Sequence, residues 1–253
     1  MITFISCAKT MTNSAAVEVP FSTLPHFSDE ARHIAAEMMN YSAEELGNML
    51  GIKSKLAAEN YLRFQDFLSK DCTSLPSLLA YTGIVFKRIN PKDFTDSEWE
   101  FAQKHLLISS FVFGLLRPLD LIKCYRMEGS VRLPDKNNIT LFNYWKPLLT
   151  DYFIQTIKRQ GNVLFNLASA EMKSLFEWER VEQETEVFTP EFLVNKNGKP
   201  KSVTIYAKMC RGEMTRFILK HRIEDPEQLK AFEWEGFAFD KTLSKERHPV
   251  FVL

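Results

Sequence analysis

Residues 106–116, with the sequence LLISSFVFGLL, form an apolar run that a surface element could not carry. A half-exposed strand or helix alternates apolar with polar residues, whereas this run contains only two serines. It is also far shorter than the roughly 20 apolar residues that cross a bilayer. We therefore predict a buried strand with both faces covered. Covering it requires a large core, which a chain of 253 residues with 21 phenylalanines can supply.

Several other segments have the pattern of strands. Residues 2–6 (ITFIS) and 162–169 (NVLFNLAS) are short, apolar and bounded by polar loops. Two strand-like runs flank Asn197-Gly198 within residues 191–208, and this dipeptide favours a tight hairpin turn. The sequences FAFD and PVFVL near the end of the chain predict a final strand pair.

Helical patterns alternate with these strands. Residues 28–39 and 96–106 are predicted helices, with Ser28 and Asp96 as their N-caps. The chain shows no internal repeat, low-complexity tract or long linker. Residues 1–253 are therefore predicted to form a single globular mixed α/β (α+β) domain with a mixed sheet and an antiparallel hairpin.

Residues 41–68 predict two helices joined by a tight corner. Ser42 and Glu45 fit a capping box for the first helix, and Gly51 ends it. The order of a hydrophobic residue, glycine, a hydrophobic residue and then a basic helix is typical of a helix-hairpin-helix. Backbone N–H groups at such a corner and the positive end of the second helix can hold a phosphate. An ordinary helical corner with glycine as its C-cap is the alternative. The candidate DNA-binding residues are Gly51, Ile52, Lys53, Lys55 and Arg63.

A second basic group is predicted on the helix that begins near Lys208. At 100° per residue, Lys208, Arg211, Thr215 and Arg222 fall on one face beside an apolar stripe. This face could line an anion site, although a solvated amphipathic helix explains the same pattern.

Strand ends supply further candidates for the same anion site. In α/β sheets, ligands bind beyond the carboxyl ends of strands. Lys9 follows the first predicted strand, and Asn166, Ser169 and Glu171 follow the strand at 162–169. Arg126 comes after the buried run, in a segment where Arg117 and Asp120 are spaced to form an ion pair across a proline turn.

Charge and missing motifs exclude several classes of function. Net charge is zero, but residues 196–222 hold eight Lys/Arg against one acid, and residues 171–191 hold seven Glu against two cations. The chain has no GxGxxG, Walker, GxSxG or HExxH motif, and its five histidines lack metal-ligand spacing. We therefore expect no cofactor and no metal site.

The cysteines and the N-terminal sequence indicate the cellular compartment in which the protein is expected. The four cysteines are widely spaced, without a CxxC pair, which favours reduced thiols in a cytosolic protein. The first ten residues have no basic lead-in to their short apolar run, unlike a signal peptide. We therefore expect a cytoplasmic protein with no membrane partner.

The chain resembles the YaaA family of bacterial peroxide stress proteins along almost its whole length. The resemblance is carried by ISCAKT, KLAAENYLRFQDF, YTGIVF, FAQKHLLISSFVFGLLRPLDLIKCYR, NLASAEM and YAKMCRGEMTRFI. It implies a cytoplasmic protein that limits hydrogen peroxide damage from unincorporated iron. It also implies a single α/β domain with a helix-hairpin-helix and a positively charged, DNA-binding cleft.

The resemblance has two departures within its motifs. The family's Ser-Pro-Ala-Lys-Thr has Cys7 in place of proline here, while Lys9 and Thr10 are kept. A tyrosine that usually follows the Asn-Leu-Ala-Ser-x-Glu sequence is replaced by Met172.

Two functional hypotheses follow. The favoured one is a monomeric binding protein, without known catalytic residues, that holds DNA weakly and without sequence preference. Its contacts would be the five residues of the helical corner together with Lys9, Arg126, Lys208 and Arg211. The alternative is an enzyme acting on a phosphorylated or nucleotide-like small molecule, through Lys9, Asn166, Ser169, Glu171, Lys208 and Arg211. Iron storage fits poorly, because no Glu-x-x-His pattern or cysteine cluster is present.

Overall fold

Short strands and helices follow one another along the whole chain in a computed structural model that describes all 253 residues. The helices are α1 Ser28–Met38, α2 Ala43–Leu50, α3 Ser54–Gln65, α4 Ser77–Ala80, α5 Ile84–Ile89, α6 Asp96–His105, α7 Leu141–Arg159, α8 Trp178–Glu184 and α9 Thr204–His221. The strands are β1 Ile2–Ile5, β2 Leu75–Pro76, β3 Leu106–Ser110, β4 Gly114–Leu116, β5 Leu121–Ile122, β6 Arg132–Leu133, β7 Ile139–Thr140, β8 Val163–Asn166, β9 Glu186–Phe188, β10 Glu191–Lys196, β11 Lys199–Lys201, β12 Ala238–Lys245 and β13 His248–Val252.

A five-stranded sheet in the order β4-β3-β1-β8-β9 forms the centre of the fold. β1 lies between β3 and β8 and runs parallel to both, with Thr3 opposite Leu106 on one side and Phe165 on the other. Every residue of β1 is buried, as its apolar sequence predicts. The strands predicted at residues 2–6 and 162–169 are thus confirmed, and their carboxyl ends lie at one edge of the sheet.

The apolar run at 106–116 is a β-hairpin, so the prediction of one continuous strand was wrong. β3 and β4 pair antiparallel, with Ile108 opposite Leu116. Gly114 has a φ of +69°, and a Cβ there would lie 2.8 Å from the ring of Trp145. The chain can reverse at this buried place because glycine accepts a left-handed backbone and leaves room for the indole.

A second sheet has the order β11-β10-β13-β12 and contains both the predicted hairpin and the predicted final strand pair. Asn197 and Gly198 both have positive φ, as a tight hairpin turn requires. The second arm is shorter than predicted, because α9 already begins at Thr204. The helix packs closely on α5: a Cβ on Gly212 would lie 2.5 Å from the carbonyl oxygen of Val85.

Helix N-termini agree with the sequence only in part. Ser42 and Glu45 form the predicted capping box of α2. Helix α6 is capped by Thr95 and Glu98, not by Asp96, which is its first helical residue. Ser28 is likewise inside its helix rather than the cap, and its hydroxyl donates to the carbonyl of Pro25 at 2.6 Å.

One hydrophobic cluster of 60 buried residues joins the central sheet to the helices around it. The ring of Phe4 on β1 lies 5.1 Å from Phe153 of α7 and 5.5 Å from Phe176, each measured between ring centroids. Such pairs each contribute about 0.5–1.5 kcal/mol beyond the burial of their area. The predicted fold class, a mixed α/β domain with mixed and antiparallel sheets, is confirmed. None of the nine helices combines the length and apolar character needed to cross a membrane.

Candidate functional site

A cleft of about 330 Å³ opens beyond the carboxyl ends of β1 and β8, beside the start of α9. After β1 the chain adds β3 on one side of it, and it later adds β8 on the other side. The strand order therefore reverses direction at β1. In α/β sheets a crevice at such a point is the usual place for a ligand. Ten of the 20 residues that line the cleft are hydrophobic.

Most residues predicted for an anion site line this one cleft. The loop after β1 carries two of them, the loop after β8 two more, and one turn of α9 a further pair. Arg126 reaches the cleft from the extended segment that follows β5. The predicted residues brought together are Lys9, Thr10, Arg126, Ser169, Glu171, Lys208 and Arg211.

Three residues predicted for this site lie elsewhere. Asn166 is buried, and its side-chain oxygen accepts a hydrogen bond from the N–H of Ala168 at 3.2 Å, so it shapes the loop that presents Ser169. The hydroxyl of Thr215 is buried against the carbonyl of Arg211. Arg222 is the left-handed C-cap of α9, about 21 Å along the helix axis from Lys208.

The cations of the cleft are in two different electrostatic states. Glu128 pairs with Lys9 at 2.9 Å and with Arg126 at 3.2 Å, so its single carboxylate offsets one of these two positive charges. Lys208 is exposed and Arg211 half-buried, and neither forms a salt bridge within the chain. Burial alone lowers the pKa of Arg211, and no carboxylate opposes that effect. The α9 side of the cleft is therefore the side that can accept an anion.

Hydroxyl groups line the floor of the cleft. The hydroxyl oxygen of Ser6 accepts a hydrogen bond from the N–H of Ser169 at 2.9 Å and lies 3.2 Å from the Ser169 hydroxyl oxygen. A serine nucleophile requires an adjacent base, and no histidine, carboxylate or amine hydrogen-bonds to either hydroxyl. The two serines supply hydrogen bonds that could orient a ligand.

The two departures from the family motifs lie side by side at this floor. The N–H of Cys7 donates to the hydroxyl oxygen of Ser109 at 3.1 Å, and that hydroxyl donates to the sulfur of Met172 at 3.0 Å. Burial raises the pKa of the Cys7 thiol to about 12. The thiol is therefore protonated at neutral pH, despite its closeness in sequence to Lys9.

The corner between α2 and α3 is tight, with Gly51 as the C-cap of α2, which is also what an ordinary helical corner requires. Gly51 has a φ of +60° and a ψ of +40°. The N–H groups of Gly51 and Ile52 donate to the carbonyls of Asn48 and Gly47, so they cannot hold a phosphate. The free donors lie at the start of α3 instead, because no side chain caps this helix. Lys53 and Lys55 flank that start and are exposed without a salt bridge.

Arg63 does not belong to this exposed group. Its guanidinium pairs with Glu59, one turn earlier on α3, at 2.5 Å. It lines a separate cavity that the cleft residues do not share.

One buried side chain joins the corner to the cleft. The amide of Asn60 on α3 donates to the carbonyl of Arg126 at 3.0 Å and accepts from the N–H of Arg126 at 2.8 Å. Asn60 is fully buried, so this paired contact fixes α3 against the wall of the cleft.

Sequence reasoning missed Glu128, which neutralises part of the cleft. Residues two apart on an extended chain point to the same side, so the sequence Arg126-Met127-Glu128 carries a signal for this pairing. The chain has no group of three or more His, Cys, Asp or Glu side chains arranged to hold a metal ion.

Comparison with known proteins identifies the relatives of the chain. A family model described as "Peroxide stress protein YaaA" matches residues 1–243. A "UPF0246 protein" of Phocaeicola vulgatus is 58% identical over 253 residues, covering 100% of this chain and 99% of the relative. Proteins of the same name from Bacteroides thetaiotaomicron and Porphyromonas gingivalis are 55% and 42% identical, covering 100% of this chain and 98% and 100% of the relatives. The chain belongs to the YaaA family of peroxide stress proteins.

Proposed function

We propose that this peroxide stress protein binds DNA weakly and without sequence preference, through the start of α3 and the α9 side of the cleft. Both surfaces offer groups that recognise phosphate rather than bases. Contacts of that kind position a protein on nucleic acid but carry no sequence information.

The observation that supports this proposal best is that four cations lack acidic partners. Lys53 and Lys55 are at the corner, and Lys208 and Arg211 are at the cleft. An unpaired guanidinium that is half-buried, as in Arg211, loses hydration without gaining a counter-charge. A phosphate oxygen would supply that charge with good geometry.

A buried contact connects the helix that begins at the corner to Arg126 in the wall of the cleft. Asn60 holds the backbone of Arg126, and the free N–H groups at Ser54 lie about 9 Å from Asn60 along the helix axis. That length is a few base steps along a duplex. A duplex lying across the corner could therefore also reach the rim of the cleft.

The test is fluorescence anisotropy of a labelled duplex over a range of salt concentrations. With about four phosphate contacts, we expect micromolar affinity and a log–log salt slope of about −3 to −4. The double variant that carries both Lys53→Glu and Lys55→Glu should have a salt slope that is flatter by about two units. Lys241→Glu with Lys245→Glu on β12 is the matched control, because it changes the net charge equally at exposed positions outside both surfaces. An equal loss in both double variants would show only a general charge effect and reject the proposed surface.

The paired cations of the cleft allow a gain-of-binding test. Glu128→Gln removes the carboxylate that neutralises Lys9 and Arg126, so we expect tighter binding and a steeper slope. Unchanged affinity in this variant would mean that the DNA does not reach the cleft.

We further propose that protection from unincorporated iron is exerted at the DNA itself. Cations condense on the phosphates of a duplex, and a protein that neutralises phosphates releases them. Bound protein should therefore reduce nicking of supercoiled plasmid by ferrous iron and peroxide, whereas the Lys53→Glu, Lys55→Glu variant should not. Because bacterial DNA is cytoplasmic and one copy carries both surfaces, we also propose a cytoplasmic monomer.

A small phosphorylated or nucleotide-like ligand is the second candidate, and the form of the cleft favours it. Its volume of about 330 Å³ and half-apolar lining are typical of small-molecule sites. The buried Nε of Arg126 in the cleft wall has no hydrogen-bond partner. Thermal-shift measurements with inorganic phosphate and nucleoside monophosphates separate the candidates. Arg211→Gln should weaken either ligand, whereas Lys53→Glu with Lys55→Glu should weaken DNA only.

A further inference from the structure

A cavity of about 390 Å³ lies between the irregular segment at residues 12–17 and the helices α4 and α5, and we call it the lysine cavity. It shares only Phe86 with the cleft and contains none of the residues predicted to bind DNA or an anion. The lysine cavity is therefore a separate place in the fold at which a ligand could bind.

One wall of the lysine cavity is a segment that is fixed at both ends. The N–H of Thr12 donates to the carbonyl of Ala80 at 2.8 Å, and the N–H of Thr23 donates to the carbonyl of Leu119 at 2.9 Å. Between these two points the chain forms neither helix nor strand. The part of the segment that lines the cavity, residues 14–17, has short side chains, so it passes over the cavity without filling it.

Half of the cavity lining is apolar. Leu78 and Leu79 of α4 and Phe86 of α5 line it, and all three are buried members of the main hydrophobic cluster. Pockets of this size with a mostly apolar wall and a few polar groups are typical of small-molecule sites. The apolar part of a ligand would be removed from water here, which favours binding.

Two lysines supply all the charge of the lysine cavity. Lys87 is on α5 and Lys92 follows the end of that helix, and both are exposed. Asn90, between them, has a φ of +45°, and this left-handed residue turns the chain so that both lysines line one cavity. No aspartate or glutamate lines it.

Arg216 explains why neither lysine forms a salt bridge. Its guanidinium donates to the carbonyls of Ile89 and Asn90 at 3.0 Å each and also pairs with Asp93. Lysines near the end of a helix ordinarily interact with the last carbonyls. At the end of α5 those carbonyls and the neighbouring carboxylate are already occupied by the arginine. The two lysine amines are thus available to an anion from outside the chain.

We propose that the lysine cavity binds a small amphipathic monoanion of the class of a medium-chain fatty acid. The carboxylate meets the amines of Lys87 and Lys92, and the hydrocarbon body lies against Leu78, Leu79 and Phe86. A neutral apolar ligand would leave both amines without a partner, and an inorganic anion would leave the apolar wall uncovered. The proposal does not depend on DNA binding.

The cavity and the cleft lie back to back, so a test has to separate them. Phe86 lines both, and the hydroxyl oxygen of Tyr81 in the cavity lies 2.7 Å from that of Tyr125 in the cleft. The cleft also combines free cations with an apolar lining. Variants of each site are therefore needed to show which of the two holds the ligand.

Isothermal titration calorimetry of the full chain with octanoate tests the proposal. We expect one site with a Kd of about 0.1–1 mM. Octanol and octylamine have the same chain without the negative charge, and phosphate has the charge without the chain. Each of these three should bind at least about tenfold more weakly, because each lacks one of the two matched features.

Variants locate the site. Lys87→Gln combined with Lys92→Gln should weaken octanoate about tenfold, and Ala16→Trp, at an exposed residue of the wall, should abolish binding by filling the cavity. Lys241→Gln combined with Lys245→Gln is the charge-matched control and should leave the Kd unchanged.

Three results would overturn the proposal. The first is the absence of saturable octanoate binding below about 10 mM. The second is equal binding of octanoate and octylamine, which would show an apolar site without charge selection. The third is loss of octanoate binding in the cleft variant Lys208→Gln with Arg211→Gln but not in Lys87→Gln with Lys92→Gln, which would place the ligand in the cleft.

Discussion

Replacing Asn60 should loosen the joint between the helical corner and the cleft. Its side chain makes two hydrogen bonds to the backbone of Arg126, one as donor at 3.0 Å and one as acceptor at 2.8 Å. Asn60→Ala leaves an N–H and a carbonyl without partners in a place from which water is mostly excluded. Each such group costs about 1–3 kcal/mol, so we expect the free energy of unfolding to fall by about 2–4 kcal/mol.

Urea unfolding followed by circular dichroism measures this loss, with two comparisons on the same helix. Gln65→Ala removes one hydrogen bond, to the carbonyl of Met39, and should cost about 1 kcal/mol. Lys55→Ala changes an exposed side chain and should stay within about 0.5 kcal/mol of wild type. If Asn60→Ala costs no more than Lys55→Ala, the paired contact does not hold α3 against the cleft. The corner and the cleft would then not form one continuous phosphate-binding surface.

Three further predictions concern charge, backbone and thiol chemistry. A hydrogen bond from Arg216 lowers the pKa of the Asp93 carboxyl to about 2. The pKa is lower in the folded than in the unfolded protein, so the ionised carboxyl stabilises the fold. In urea unfolding, wild type should therefore be more stable than Asp93→Asn by its full margin above about pH 4, and this margin should vanish as pH falls to about 2. A margin that does not change with pH would contradict the prediction. Gly114→Ala should lower the free energy of unfolding by about 2–5 kcal/mol, because it adds backbone strain and overlaps with the indole of Trp145. Gly198→Ala also has a positive φ but meets open space, so it should lower the free energy of unfolding by only about 1 kcal/mol in the same assay. Iodoacetamide at neutral pH should label Cys7 far more slowly in folded protein than in urea, because partial burial raises its pKa to about 12, and equal rates would contradict that raised pKa.

Features whose partners lie within a few residues could be predicted from the sequence. The capping box of Ser42 and Glu45 closes over three residues, and the turn at Asn197-Gly198 depends only on which residues accept positive φ. Predictions of secondary structure failed where packing between elements distant in sequence determined the structure. The β-branched sequence at 203–205 has strand propensity. Helix α9 nevertheless begins at Thr204, because packing against α5 stabilises the helix.

The candidate site shows the same division. Lys9 and Ser169 could be placed together because both follow strands of one predicted sheet. Which polar groups remain free could not be predicted, since it depends on partners distant in sequence. The side chain of Asn166 accepts a hydrogen bond within its own loop, and Glu128 forms a salt bridge with Lys9, which is more than 100 positions away.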